Sequence, residues 1–134
     1  MKIEEIEGIG PAYAKALTEK AGVATVEQLL EAGATRKGRQ AVAEKSGISG
    51  AQILKWVNMA DLFRIKGVGQ EYAELLEAGG VDTVKELGHR VPENLVAAMT
   101  EANDKKKMVR RLPTVSMVAD WVKQAKALPP KVEY

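Results

Sequence analysis

The chain has no cysteine and a single histidine, His89. The first absence excludes disulfides, thiolate metal sites and a cysteine nucleophile. The second leaves too few imidazoles for a histidine-built metal site, and no motif places a nucleophile in the strained turn that a histidine-based triad would need. His89 lies between Gly88 and Arg90, just after an apolar stretch, which is the setting of a solvated helix-end residue. No apolar run approaches the length that crosses a bilayer, and the opening Met1-Lys-Ile-Glu-Glu-Ile-Glu7 is too acidic for a signal or transit peptide. Strand signals are weak, because there is no sustained alternation and β-branched residues are scattered. These absences predict a cytoplasmic protein with no membrane association, no metal, no cofactor and no catalytic activity.

What is present points to helices. The 134 residues suit one domain, or two small ones, and 46% hydrophobic residues suffice for a core. Charged residues make up 28%, and carboxylates lie among lysines at helical spacing, as on a solvated face. The net charge of +2 does not by itself mark a nucleic-acid binder.

An internal repeat organises the chain. Ile6-Glu-Gly-Ile-Gly-Pro-Ala-Tyr-Ala-Lys-Ala-Leu17 recurs as Ile65-Lys-Gly-Val-Gly-Gln-Glu-Tyr-Ala-Glu-Leu-Leu76. With one residue slipped, Gly22-Val-Ala-Thr-Val-Glu-Gln-Leu29 meets Gly80-Val-Asp-Thr-Val-Lys-Glu-Leu87. Ile53, Trp56, Val57 and Ala60 then match Val118, Trp121, Val122 and Ala125. Two units are therefore predicted, over 1–60 and 61–134.

Local signals place the helix ends. Thr25 with Gln28, Thr83 with Glu86 and Ser49 with Gln52 have capping-box spacing, and the last should open a helix running to about Phe63. Gly22, Gly33, Gly47 and Gly79 suit helix C-caps, and Pro11 suits a first turn. Pro92 and Pro113 open or precede later helices, Pro129-Pro130 ends the last one, and Lys131–Tyr134 should be loosely held.

The Ile-x-Gly-Ile/Val-Gly stretch leading into a helix resembles the helix-hairpin-helix motif of DNA-processing proteins. Its glycines let the backbone turn tightly and approach a surface closely. Amides at the start of the next helix then face outward, ready for a phosphate oxygen. Ile6, Ile9, Ala14 and Leu17 are the expected packing residues of the first copy, and Ile65, Val68, Ala73 and Leu76 those of the second. Two such hairpins related by a pseudo-twofold axis would grip both backbones of a duplex across the minor groove, without reading sequence.

Charge placement argues against this reading. Residues 1–34 hold 3 basic and 6 acidic side chains, and 61–104 hold 4 and 9. The ratio inverts to 5 basic against 1 acidic over 35–60, and to 8 against 2 over 105–134. DNA-binding hairpins often carry lysine just after the second glycine, where this chain has Ala12 and Glu71, and Glu4 and Glu7 crowd the first hairpin. Carboxylates beside a phosphate site weaken it. The runs Arg36, Lys37, Arg39, Lys45 and Lys105, Lys106, Lys107, Arg110, Arg111 either form solvated faces, supply the phosphate contacts, or dock on acidic hairpins of the other copy or of a second subunit. Ala43–Trp56 is also similar to a helix-turn-helix pattern, which would expose Gly50, Gln52 and Lys55; two helices packed at a tight angle account for it without DNA. Tyr13, Tyr72, Trp56 and Trp121 are expected to pack in the core with hydrogen-bonded polar tips.

Across most of its length the chain resembles an uncharacterised family, of unknown function, of small prokaryotic proteins with paired helix-hairpin-helix motifs. The resemblance rests on Gly67-x-Gly-x-x-Tyr-Ala73, the Thr-Val-x-Glu-Leu stretch, Pro92-Glu-Asn-Leu95, Lys106-Lys-Met-Val-Arg-Arg-Leu-Pro113 and Asp120-Trp-Val-Lys-Gln-Ala-Lys-Ala-Leu128. It implies an all-α fold related to DNA-binding hairpin domains, and it implies no activity. The expected architecture is all-α, with two tandem helix-hairpin-helix repeats forming a SAM-like helical bundle. The expected function is sequence-independent binding of double-stranded DNA through Gly8, Gly10, Lys15, Lys66, Gly67, Gly69, Lys106, Lys107, Arg110 and Arg111. The alternative is a protein-interaction or homo-oligomerisation module.

Overall fold

Threonine and serine side chains start most of the helices, as their chemistry dictates. In the computed structural model, which describes residues 1–134, Thr25, Thr35, Thr83 and Thr114 each accept a hydrogen bond from the backbone N–H three residues on. They open α2 (Val26–Ala32), α3 (Arg36–Ser46), α6 (Val84–Leu87) and α8 (Val115–Ala127). The Ser49 hydroxyl accepts from the Gln52 N–H (3.2 Å) at the start of α4 (Gly50–Leu62). Pro11 and Pro92 stand in the first turns of α1 (Pro11–Ala21) and α7 (Pro92–Lys105), where a missing N–H costs nothing. The remaining helix, α5 (Gln70–Ala78), starts after Gly69. A short 3-10 turn spans Ile3–Glu5, and the only β feature is an isolated bridge between Lys2 and Thr25, so the chain is all-α.

Gly22, Gly33, Gly47 and Gly79 are C-caps, as expected. The capping boxes differ in completeness. In α2 the Gln28 carboxamide oxygen accepts from both the Thr25 N–H (3.2 Å) and the Ala24 N–H (2.8 Å). In α6 the Glu86 carboxylate instead turns to the Asp82 N–H at 3.5 Å.

The chain divides into two compact units. Unit 1 comprises Met1–Asp61 with Lys131–Tyr134, and unit 2 comprises Leu62–Pro130. In unit 1, α1 packs on α3 and α2 on α3, closing over Ile3, Ile6, Leu17, Leu29, Ile53 and Trp56, all fully buried. In unit 2, α5 packs on α7, while α6 and α7 both pack on α8. Its core holds Ile65, Leu75, Leu76, Leu87, Met99 and Trp121. Each such side chain contributes about 1.5–3 kcal/mol by leaving water.

The two sequence copies share a hydrogen-bond pattern. Ile6 N–H donates to Ile3 O (3.0 Å) and Ile9 N–H to Ile6 O (3.1 Å); Ile65 N–H donates to Leu62 O (3.1 Å) and Val68 N–H to Ile65 O (3.2 Å). The slipped residue lies at the end of the first full helix of each copy. Val23 N–H reaches back to Leu17 O, and Val81 N–H to Leu76 O, around positive-φ turns at Gly22 and Gly80.

Two expectations need correction. Lys131–Tyr134 is docked rather than loose: Glu133 N–H donates to Ala34 O at 2.7 Å, and the Tyr134 hydroxyl donates to Asn58 Oδ1 at 2.9 Å. Arg39, placed by its sequence neighbours in a solvated basic run, is only 7% exposed. It donates to the carbonyls of Gly33 (2.9 Å), Ala34 (3.2 Å) and Glu133 (2.6 Å), so its charge is hydrogen-bonded inside the fold.

Candidate nucleic-acid interface

The turn before α1 is built by alternation of burial and exposure. Ile6 and Ile9 are buried, while Gly8 and Gly10 between and after them are exposed. The same order holds for Ile65, Gly67, Val68 and Gly69 before α5. Gly8 and Gly67 have φ of +95° and +96°, a left-handed region that disfavours any residue with a Cβ. A tryptophan closes each turn from beneath. The Trp56 indole nitrogen lies 3.4 Å from where a Gly8 Cβ would sit, and the Trp121 nitrogen 3.1 Å from the Gly67 equivalent. Tyr13 meets Trp56 edge-on with ring centroids 5.0 Å apart, and Tyr72 meets Trp121 at 5.2 Å. The Tyr72 hydroxyl donates to Arg111 O at 3.1 Å, as a hydrogen-bonded tip should. Two of the four aromatic residues depart from the expected core packing with bonded tips: the buried Trp56 N–H has no hydrogen-bond partner, and Tyr13 is 45% exposed.

Gly10 and Gly69 answer to a different constraint. Both are extended, with φ of −84° and −97°, and a Cβ on either would meet nothing within 4 Å. They are the N-caps of α1 and α5 and offer no side-chain cap. The first helical bonds run from Ala14 N–H to Gly10 O and from Ala73 N–H to Gly69 O, both 2.9 Å. The amides of Ala12 and Tyr13, and those of Glu71 and Tyr72, therefore precede the intrahelical ladder. At each hairpin the space beside the N-cap glycine is open, backed by the positive end of a helix dipole.

Unit 2 adds cations to this arrangement. A cleft of about 640 Å³ is lined by Glu71, Asn103, Asp104, Lys107 and Arg110, so the basic run meets the first turn of α5. Arg111 is tied to the same turn through its carbonyl and Tyr72. Lys66 presents its side chain to solvent while Gln124 clamps its peptide group, accepting from Lys66 N–H (2.8 Å) and donating to Lys66 O (3.0 Å). Lys106 is exposed at the C-cap of α7, with no contact that brings it to the cleft. Gly8, Gly10 and the exposed Lys15 belong to unit 1. Glu71 shares the cleft with the cations, which keeps the electrostatic objection in force at the second hairpin.

Two residues that position this site were not anticipated. Asn103 Oδ1 accepts from the N–H groups of Met108 (2.8 Å) and Val109 (3.1 Å), and its Nδ2 donates to Val109 O (3.4 Å). That staple sets the course of the basic loop. The parallel in unit 1 is short: Ser46 Oγ accepts from Ile48 N–H (3.3 Å) in the tight turn between α3 and α4. Gln124 is the second. Its place one turn beyond Asp120, whose Oδ2 accepts from Gln124 Nε2 at 2.9 Å, reads in sequence as an ordinary exposed helix pair.

No group of three or more His, Asp or Glu side chains converges as metal ligands would, and no helix is long and apolar enough to cross a membrane. No curated protein and no solved structure matches the chain. The sequence model of one family does match it, over residues 7–128, and the chain belongs to that family, described as Domain of unknown function (DUF4332).

Proposed function

We propose that the chain is a non-catalytic binder of duplex DNA that contacts phosphates without reading sequence, and that its two glycine turns act as helix-hairpin-helix motifs. The observation that carries this reading is the start of α5, where Gly69 gives no side-chain cap to the amides of Glu71 and Tyr72, beside a cleft where Lys107 and Arg110 stand with Glu71 and Asp104. Glycine at both hairpins, with no packing need for it at Gly10 or Gly69, supports a close approach by something from outside. Lys66 and Arg111 add charge to the second hairpin and Lys15 to the first, while Lys106 adds only to the general positive charge of the basic run. Binding is then governed by counterion release.

The test is a fluorescence anisotropy titration with a random-sequence duplex over a salt series. If Lys66, Lys107, Arg110 and Arg111 each neutralise one phosphate, log K falls against log salt with a slope of about −3 to −4. Changing all four to alanine flattens that slope and abolishes measurable binding at moderate salt. Absence of binding by the unaltered chain at low salt removes the reading.

A second reading, a protein-interaction module, is favoured by one observation: Glu71 stands at the mouth of the second hairpin. A basic protein partner would be attracted where a phosphate is repelled. Light scattering at low and high salt separates the homo-oligomeric form of this reading from a monomer.

A further inference from the structure

Tyr13 and Tyr72 hold equivalent places in the two copies and sit on equivalent platforms. Each is the third residue of its helix and meets its tryptophan, Trp56 or Trp121, at nearly the same separation, 5.0 and 5.2 Å between ring centroids. Their outer sides differ. The Tyr72 hydroxyl donates to Arg111 O at 3.1 Å, so the chain's own loop, which runs without helix over residues 106–114, lies against the polar tip of the ring, and Tyr72 is half-buried. Unit 1 has no such loop. Residues 47–49 join its third and fourth helices directly, and no residue stands where Arg111 does. Tyr13 is 45% exposed, and its hydroxyl makes no hydrogen bond inside the chain.

The charges before the two turns are inverted. Aligned by the repeat, Glu5 and Glu7 stand where the second copy has Arg64 and Lys66. Residues 4–14 hold Glu4, Glu5 and Glu7, all exposed, and no basic side chain. Lys2 and Lys15 flank that stretch, but Lys15 is two positions beyond Tyr13 and so lies on another side of α1. In unit 2 the loop brings its own cations, Lys107 and Arg110, to a cleft shared with Glu71. Unit 1 thus has the aromatic platform and the carboxylates, and it lacks the basic segment.

We propose that the Tyr13 face of unit 1 docks an extended segment of a partner protein rich in lysine and arginine, with a main-chain carbonyl that accepts from the Tyr13 hydroxyl as Arg111 O accepts from Tyr72. The exposed ring supplies apolar contact and a face for a cation, and Glu4, Glu5 and Glu7 attract the segment's charge. A second copy is the poorer occupant, because its own basic loop is already committed: Arg111 O to Tyr72, and the Met108 and Val109 N–H groups to Asn103. Docking at Tyr13 does not rest on duplex binding, because the cations proposed to meet phosphates there, Lys66, Lys107, Arg110 and Arg111, all belong to unit 2.

The test titrates a fluorescent, end-blocked Lys-Lys-Met-Val-Arg-Arg-Leu-Pro peptide, the sequence of residues 106–113, into the full chain at low salt. Saturable binding is expected, weaker by about threefold or more in Tyr13→Phe, which keeps the ring on Trp56 and removes only the hydroxyl. Glu4→Gln with Glu5→Gln should weaken binding and flatten its salt dependence. A peptide with glutamate in place of every lysine and arginine should bind at least about tenfold more weakly. The amide resonances of Gly8, Gly10 and Tyr13 should shift on addition of peptide, and those of Gly67, Gly69 and Tyr72 should stay. No saturable binding at millimolar peptide overturns the proposal. So does equal affinity for the unaltered chain and Tyr13→Phe, equal affinity for the two peptides, or shifts confined to the second hairpin. Self-association of the unaltered chain that Tyr13→Phe abolishes also overturns it, because the occupant is then a second copy.

Discussion

A Cβ placed on Gly67 would sit 3.1 Å from the Trp121 indole nitrogen on a backbone already at φ +96°, whereas one placed on Gly69 would face open space. The two glycines stand in the same short turn and are indistinguishable by spacing; only the dihedral angle and the tryptophan beneath separate them. Alanine at Gly8 or Gly67 is therefore expected to cost about 1–3 kcal/mol, with Gly67 the more sensitive for its closer contact. Alanine at Gly10 or Gly69 should change stability by less than about 1 kcal/mol and still weaken duplex binding by covering the helix start. Urea unfolding and the anisotropy titration check these outcomes, and equal losses of stability at all four positions would remove the distinction. The apolar partners of the turns were legible as residues: Ile6, Ile9, Ala14 and Leu17 are buried, as are Ile65, Val68, Ala73 and Leu76. The unpartnered Trp56 N–H was not, because its surroundings are supplied by a turn far away in sequence.

Among the elements, the helix ends follow from chemistry confined to a few consecutive residues. Thr25, Thr83 and Ser49 open helices, Gly22, Gly33, Gly47 and Gly79 close them, and α4 ends at Leu62, one residue from the expected Phe63. The connection between α7 and α8 was legible only as a dense basic run after a helix. Its path depends on Asn103, whose side chain pins Met108 and Val109. Asn103→Ala leaves those amides without their acceptor, at a cost of about 1–3 kcal/mol. Hydrogen exchange at Met108 and Val109 should accelerate, and duplex affinity should fall although no charge has been removed. If the exchange quickens and affinity stays constant, the fixed course of the loop is irrelevant to binding. Comparison of the two copies sharpens the point. The third and fourth helices are joined by residues 47–49 in unit 1 and by 106–114 in unit 2, and all of the basic run but Lys105, the last residue of α7, lies within the longer connection.

For the whole molecule, a balanced net charge of +2 conceals segregation of the charges along the chain, and the sequence revealed that segregation without showing which cations are free. Arg39 looked like one more member of a basic face and is instead bonded to three carbonyls, one of them 94 positions away. No local pattern encodes such a partner. Arg39→Met keeps much of the side-chain volume and strands the carbonyls of Gly33 and Glu133, while Ala34 O keeps the Glu133 N–H. The expected loss is about 2–4 kcal/mol in urea unfolding, with faster exchange at the Glu133 amide. A loss below about 0.5 kcal/mol would mean that water replaces the guanidinium without penalty. The docked segment also bears on how the protein is made. The partners of Ala34, Arg39 and Asn58 lie at 133 and 134, after every residue of unit 2. During vectorial synthesis, the chain that is translated second is the first to have all of its bonding partners outside the ribosome, and the unit translated first waits for two residues at the far side of its neighbour.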